Sequence, residues 1–244
     1  SFEIGGKTCK IGGIAKGSGM IHPNMATMLV FITTDCAINP EMLKKALSTD
    51  IKKTFNMISI DGDTSTNDMV TVLANGMAEN AEITAEGEDF KTFMKALNTV
   101  NVYLCRRIAG DGEGATKLIE CKVTGAETLE TAKTVAKSVI CSSLTKAAMF
   151  GSDANWGRVL CAIGYSGATV DVNKIDVAFK SQKGEIAVCK NGAGIPFSEE
   201  KAKEILLESE IEILVELNSG KYSSCAWGCD LTYDYVKING DYRT

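Results

Sequence analysis

The 244-residue sequence is long enough for one large domain or two small ones, and 45% hydrophobic with 23% charged residues is the balance of an ordinary globular protein. A formal net charge of −5, with lysines and acids interspersed, leaves no basic footprint for nucleic acid. No apolar run reaches the roughly 18 residues of a membrane helix, and the first residues lack a signal-peptide pattern, so the expected partners are small molecules or protein and the expected compartment is the cytoplasm.

The opening predicts a β-hairpin, Phe2-Glu3-Ile4 and Lys7 to Ile11 around a Gly5-Gly6 turn. Glycines at 12, 13, 17 and 19 then loosen the chain as far as Pro23. Thr27 to Thr33 reads as a fully buried strand. Asn39-Pro40-Glu41 supplies a cap and a first-turn proline for a helix to about Leu47, with a second helix near Asp50 to Met57. Asp61 to Asp68 is a polar loop, and Asn67 or Thr66 is placed to cap a helix ending at Gly76. Phe90, Phe93, Met94, Leu97, Leu104 and Ile108 recur at helical spacing, and Thr116 to Val123 reads as a strand.

Beyond Gly125 the pattern restarts: a helix over 127–139, a Gly-rich turn at 151–157 and a short helix through Ala162. Strands are expected at 175–179 and 185–189, a helix at 199–207, and strands at 210–217 and 231–238. The elements form α/β layers in two lobes that divide near residue 125.

Nine cysteines without paired spacing read as reduced, mostly buried thiols. Cys225 and Cys229 are four apart, but no second Cys or His pair accompanies them, so no metal is expected. The single histidine, His22, constrains catalysis. A histidine-based triad would have to use it, so a base is expected from elsewhere. Asp61-Gly62-Asp63-Thr64-Ser65-Thr66 begins like a calcium loop, yet its sixth position is Thr66 and its twelfth is Val72. The glycines of Gly110 to Gly114 match neither dinucleotide nor P-loop spacing.

More informative is Lys16-Gly-Ser-Gly-Met-Ile-His-Pro-Asn-Met-Ala-Thr27-Met-Leu29, where small Ala26 precedes a hydroxyl residue that opens a strand. On these residues alone, Thr27 is either the first residue of a core strand or a nucleophile released by cleavage before it. In the second case the freed α-amino group, with an ordinary pKa of about 7.7–8.0, serves as base and no histidine is needed.

The stretch from Lys16 to Leu29 resembles the cleavage region of the ornithine acetyltransferase family, bifunctional glutamate N-acetyltransferases included. The resemblance continues in family order through 61–68, 111–117, Lys146-Ala147, 151–158 (Gly-Ser-Asp-Ala-Asn-Trp-Gly-Arg) and Asn239-Gly-Asp-Tyr-Arg-Thr244. It implies an N-terminal-nucleophile-like layered sandwich, helices on mixed sheets, with a second, smaller α/β lobe. Residues 1–124 would belong to the catalytic lobe and 125–230 to the second, while 231–244 return to the active site.

The resemblance further implies self-cleavage at Ala26-Thr27, Thr27 as nucleophile, and substrate contacts from Lys16, Thr27, Glu113, Asn239 and Thr244. The implied reaction passes the acetyl group of N-acetylornithine through an acetyl-threonine to glutamate, releasing ornithine and N-acetylglutamate. No metal or organic cofactor is implied, with acetyl-CoA a second acetyl donor in bifunctional members. The implied assembly is a heterotetramer of two α and two β chains. His22 falls where the family varies and receives no role.

One departure matters. Family members carry a segment before the hairpin with a Thr-Gly oxyanion hole, and the residues preceding Thr27 hold no equivalent; Thr124-Gly125 has the letters in another region. A missing N-terminal segment or α chain is therefore expected as a partner. The alternatives are a related self-processed aminopeptidase or amidohydrolase, and an inactive fragment acting only in assembly.

Overall fold

A computed structural model describes residues 1–22 and 28–241 of the chain. In chain order the elements are β1 (Phe2–Ile4), β2 (Lys7–Cys9), β3 (Ile11–Lys16), β4 (Leu29–Thr34), α1 (Pro40–Asp50), β5 (Ile58–Ser59), β6 (Met69–Ala74) and α2 (Glu88–Gly110). Then come β7 (Leu118–Ala126), α3 (Leu129–Cys141), α4 (Ser143–Phe150), α5 (Trp156–Gly164), β8 (Asp176–Ser181), β9 (Gly184–Lys190) and β10 (Ala193–Gly194). α6 (Glu199–Leu206), β11 (Glu210–Glu216), β12 (Tyr222–Cys229) and α7 (Tyr233–Asp241) complete the described chain.

The chain divides into two units, 1–56 with 63–108, and 57–62 with 109–244. The boundary thus falls after Ile108 rather than at 124/125, and β7 runs unbroken across the expected boundary. The second unit gains Met57–Gly62 as well and is the larger of the two.

In the first unit β1 and β2 form the expected hairpin. A three-stranded sheet follows in the order β3-β4-β6, with β4 antiparallel to β3 and parallel to β6. The strand that follows Thr27 is thus the central one. It is not fully buried: Val30, Ile32 and Thr34 point inward while Leu29, Phe31 and Thr33 are exposed, the two-residue alternation of a sheet covered on one face. β3 was not expected, because its glycines read as loop. β3 runs so close to α2 that a Cβ at Gly13 would lie 3.1 Å from Leu104 Cδ1. The predicted helix ending at Gly76 is in fact β6, whose Val70-Thr71-Val72 suits a strand and whose partner β4 lies 40 positions earlier. α1 starts as its cap predicts, Asn39 Oδ1 accepting from Met42 N at 2.8 Å. The expected second helix is two short 3-10 turns, 51–53 and 55–57.

The second unit is built on a seven-stranded mixed sheet in the order β10-β9-β8-β11-β7-β12-β5. β7, in the middle, pairs parallel with β11 and antiparallel with β12. α3 packs on β7 and β12, and α6 on β8 and β9. The strand expected at 231–238 is displaced: 222–229 forms β12, and 233–241 forms the helix α7. Leu231-Thr-Tyr-Asp-Tyr-Val-Lys-Ile238 alternates well enough to imitate a strand. As a helix it leaves Tyr233 and Val236 exposed.

Two buried lysines belong to this framework. Lys117 Nζ donates to Met149 O, Ser152 Oγ and Leu206 O, tying down carbonyls at the ends of α4 and α6. Lys146 Nζ donates to Cys229 O. No helix among the described residues is long and apolar enough to cross a membrane.

Candidate functional site

Lys16 is the last residue of β3, exposed, and registered opposite Leu29 at the start of β4. Ala26, Thr27 and Thr244 lie outside the described residues. What flanks Thr27 is well braced. On one side, Thr64 Oγ1 donates to His22 O at 3.0 Å. On the other, Met28 N donates to Asp68 Oδ1 at 2.5 Å, and Met69 N donates to Met28 O at 2.8 Å. The 61–68 loop, read from sequence as a polar turn, therefore grips the chain next to Thr27. Asp68 was missed as a site residue because its position follows from the parallel pairing of β6 with β4, and β6 was read as a helix.

In the second unit, Asn239 Nδ2 donates to Glu113 Oε2 at 2.9 Å and to Tyr235 O at 3.0 Å. The sequence-predicted residues Glu113 and Asn239 are thus brought together. The contact joins the loop before β7 to the last turn of α7, whose start packs on the same loop. Gly114, with φ +68°, lies against α7 so closely that a Cβ there would be 2.8 Å from Tyr235 N. Thr232 Oγ1 donates to Gly114 O at 2.7 Å and accepts from Tyr235 N at 3.3 Å, joining loop and helix start through one hydroxyl. Beside them, Asp230 accepts from Thr116 N, Thr116 Oγ1 and Lys117 N.

The other motif residues have structural partners. Thr124 Oγ1 donates to Glu216 Oε2 within the sheet, so Thr124-Gly125 is ordinary strand chemistry. Cys225 Sγ donates to Glu120 Oε1 at 3.2 Å, while Cys229 sits beside Lys146, so the two thiols have different surroundings. Burial, followed by the Glu120 charge, drives the Cys225 thiol far up.

Helices packed on mixed sheets, with a hydroxyl residue just ahead of a central strand and a carboxylate-amide pair presented by a loop and a C-terminal helix, make this a layered α/β protein of the class the sequence predicts. The ArgJ family model matches residues 1–244, and the chain belongs to that family. It is 56% identical over 243 residues to the arginine biosynthesis bifunctional protein ArgJ 1 of Clostridium acetobutylicum, and 55% identical over the same length to ArgJ of Caldanaerobacter subterraneus. Each match covers 100% of this chain and 60% of the relative, so the chain spans about three-fifths of the length of those proteins. The crystal structure of ArgJ from Bacillus halodurans matches with a TM-score of 0.83 at 50% identity, over 87% of this chain and 98% of that one.

Proposed function

We propose that this chain is the nucleophile-bearing part of a self-cleaving acetyltransferase that moves the acetyl group of N-acetylornithine to glutamate in arginine biosynthesis. The observation that carries the reading is the family match over the whole chain, together with the sequence position of Thr27, two residues ahead of the central strand β4. The 218 residues from Thr27 to Thr244 are also close in extent to the 87% of this chain that the Bacillus halodurans chain matches.

After cleavage at Ala26-Thr27, the Thr27 hydroxyl attacks the acetyl carbonyl of N-acetylornithine, passing its proton to its own α-amino group. The tetrahedral oxyanion collapses, the amide C–N bond breaks, and ornithine leaves with that proton. Glutamate's amine then attacks the acetyl ester and gives up a proton, the C–O bond to Thr27 Oγ breaks, the hydroxyl is re-protonated, and N-acetylglutamate departs. Lys16 pairs with a substrate carboxylate and Glu113 with a substrate ammonium, which suits amino-acid zwitterions. Asn239 holds the Glu113 carboxylate, and Thr244 is a further substrate contact. Acyl transfer through a hydroxyl needs no metal or organic cofactor; acetyl-CoA is a second acetyl donor only in bifunctional members of the family. The setting is the cytoplasm.

The oxyanion donors come from the portion of the relatives' length that this chain does not span. Each such donor is worth about 100- to 1000-fold in rate. That portion also has a surface to meet. On the outer face of the β3-β4-β6 sheet, Ile14 is 72% exposed, Leu73 61%, Phe31 42% and Leu29 40%; Ile14 is registered opposite Phe31, Leu29 lies two residues along the same strand, and Leu73 is registered opposite Thr33. Isolated apolar residues on a surface mean little, but a contiguous sheet face of this kind calls for a covering layer. We place the missing portion there, as the α chain of an assembly of two α and two β chains.

The test is co-expression of this chain with that portion, followed by N-terminal sequencing and product analysis. The reading requires a C-terminal product that begins with Thr27, and N-acetylglutamate formed from N-acetylornithine and glutamate. Acetate as the product would indicate a hydrolase instead.

A further inference from the structure

We infer that Asp230 is a positioning residue for Glu113, pinning the root of the loop that carries the Glu113 carboxylate to Asn239. This rests on the acetyl-transfer reading above, with Glu113 taking a substrate ammonium, and deepens it.

The geometry begins where a ladder ends. β7 and β12 pair as far as Leu118 opposite Cys229, and one more backbone bond runs from Asp230 N to Lys117 O at 3.2 Å. From there one chain leads back to Glu113 and the other on into α7 and Asn239. The Asp230 side chain bridges the fork. Its Oδ1 accepts from Lys117 N at 3.0 Å and from Thr116 N at 2.8 Å, and its Oδ2 accepts from the Thr116 hydroxyl. Two residues on, Thr232 Oγ1 donates to Gly114 O at 2.7 Å, and the turn around Glu113 is closed by Ala115 N donating to Gly112 O at 2.9 Å. The segment 230–232 therefore holds the Glu113 loop both at its root and next to Glu113 itself.

Charge strengthens the bridge. Asp230 is buried, and a buried carboxylate is costly to keep unless donors meet it. The donors named here all come from Thr116 and Lys117, and hydrogen bonds to an ionised acceptor are roughly twice as strong as neutral ones. Burial lowers the pKa of the Lys117 ammonium, and the Asp230 charge opposes that fall. A residue that only finished the ladder would need one oxygen. The second oxygen, on the Thr116 hydroxyl, fixes the direction in which the chain leaves β7 for Glu113. A group displaced by about 1 Å can lose about 100-fold in rate, so the aim of Glu113 depends on that root.

The experiment uses the full-length, processed protein, with the portion absent from this chain restored, as wild type, Asp230→Asn, Glu113→Gln and the double variant. Asparagine keeps one oxygen for the two backbone amides and removes the charge. In a ping-pong reaction, kcat/KM for each substrate reports its own half-reaction. N-acetylornithine carries an ammonium on its side chain, where glutamate carries a carboxylate. Asp230→Asn is therefore expected to lower kcat/KM for N-acetylornithine about tenfold or more, and that for glutamate about twofold or less. In the Glu113→Gln background the same substitution should change kcat/KM for N-acetylornithine by less than about twofold, because its effect runs through a carboxylate already gone. Should Asp230→Asn fail to fold, Thr116→Val removes the hydroxyl donor at an exposed position and should give the same pattern with a loss of about two- to tenfold. Equal losses in the two backgrounds, or equal losses for the two substrates, overturn the inference and leave Asp230 a prop of the fold. Unchanged kinetics in the folded variant overturn it too. Near-wild-type kcat/KM in Glu113→Gln overturns the role of Glu113 and this inference with it, whereas a wild type that forms no N-acetylglutamate overturns the acetyl-transfer reading itself.

Discussion

Asn239 and Glu113 meet across 126 positions of sequence, the Asn239 amide donating to Glu113 Oε2 at 2.9 Å. An amide donor holds one carboxylate oxygen and leaves the other open to an ammonium, the arrangement a site for an amino-acid side chain requires. In the processed full-length enzyme, Glu113→Gln is expected to lower kcat/KM for N-acetylornithine by roughly 10- to 150-fold, the equivalent of a charge-assisted hydrogen bond of about 1.5–3 kcal/mol. Asn239→Ala should also impair the enzyme, and the double variant should lose less than the two single losses together, by about 0.5 kcal/mol or more. Full additivity in steady-state kinetics would mean that the two residues do not act as a unit.

Gly114 makes that contact possible. Its φ of +68° disfavours any side chain, and a Cβ would meet Asp234 Cβ at 2.9 Å as well as Tyr235 N. Gly114→Ala should therefore push α7 off its loop, costing about 1–3 kcal/mol. The change should appear as a lower Tm and faster proteolysis beyond Asp230. Gly164→Ala is the control: nothing lies within 4 Å of a Cβ there, so its Tm should stay near wild type. Equal melting of the two variants would contradict the packing of α7 on the 111–117 loop.

Local signals were the legible part of this fold. The Gly5-Gly6 hairpin, the Asn39-Pro40 helix start, the long periodic helix through Phe93 and Leu104, and the strand ahead of Gly125 all depend on near neighbours. What failed depends on distant partners. β6 is a strand because β4 lies beside it, and β12 because β7 and β5 flank it; neither partner is visible from Met69-Val-Thr-Val-Leu-Ala or Tyr222-Ser-Ser-Cys. The burial of β4 was overstated for a related reason, since an apolar run does not say how many of its faces are covered. Spacing alone could not join Glu113 to Asn239; the family resemblance named both, and the fold of the 111–117 loop against α7 puts them in contact.

The cysteines offer a chemical check on both units. All nine are free, and Cys161 is the exposed one. Burial, aided by neighbouring Cys9, pushes the Cys36 thiol up to about 12, and burial also raises Cys105 and Cys121. A thiol pushed up in this way is almost entirely protonated at pH 8 and reacts slowly as a nucleophile. Iodoacetamide at pH 8 should thus label Cys161 first, and Cys36, Cys105 and Cys121 only after unfolding. Peptide mapping that finds Cys36 or Cys121 modified as fast as Cys161 in native protein would contradict their burial.

The open sheet face separates stability from assembly. Leu73 and Phe31 belong to its exposed side, so charge there meets water in this chain, and Leu73→Glu should change stability by only about 0.5 kcal/mol. Ile32, on the other face of β4, is fully buried, and Ile32→Glu should unfold the first unit by placing an unpaired carboxylate in the core. If the portion of the relatives that this chain does not span covers the outer face, Leu73→Glu should abolish its co-purification with this chain. The loss should come with unchanged melting of the chain itself, since the variant removes a partner and not a core. Together the thermal melt and the pull-down decide the matter. Full recovery of the partner with Leu73→Glu and with Phe31→Glu would show that the assembly uses another surface and that this apolar face stays open.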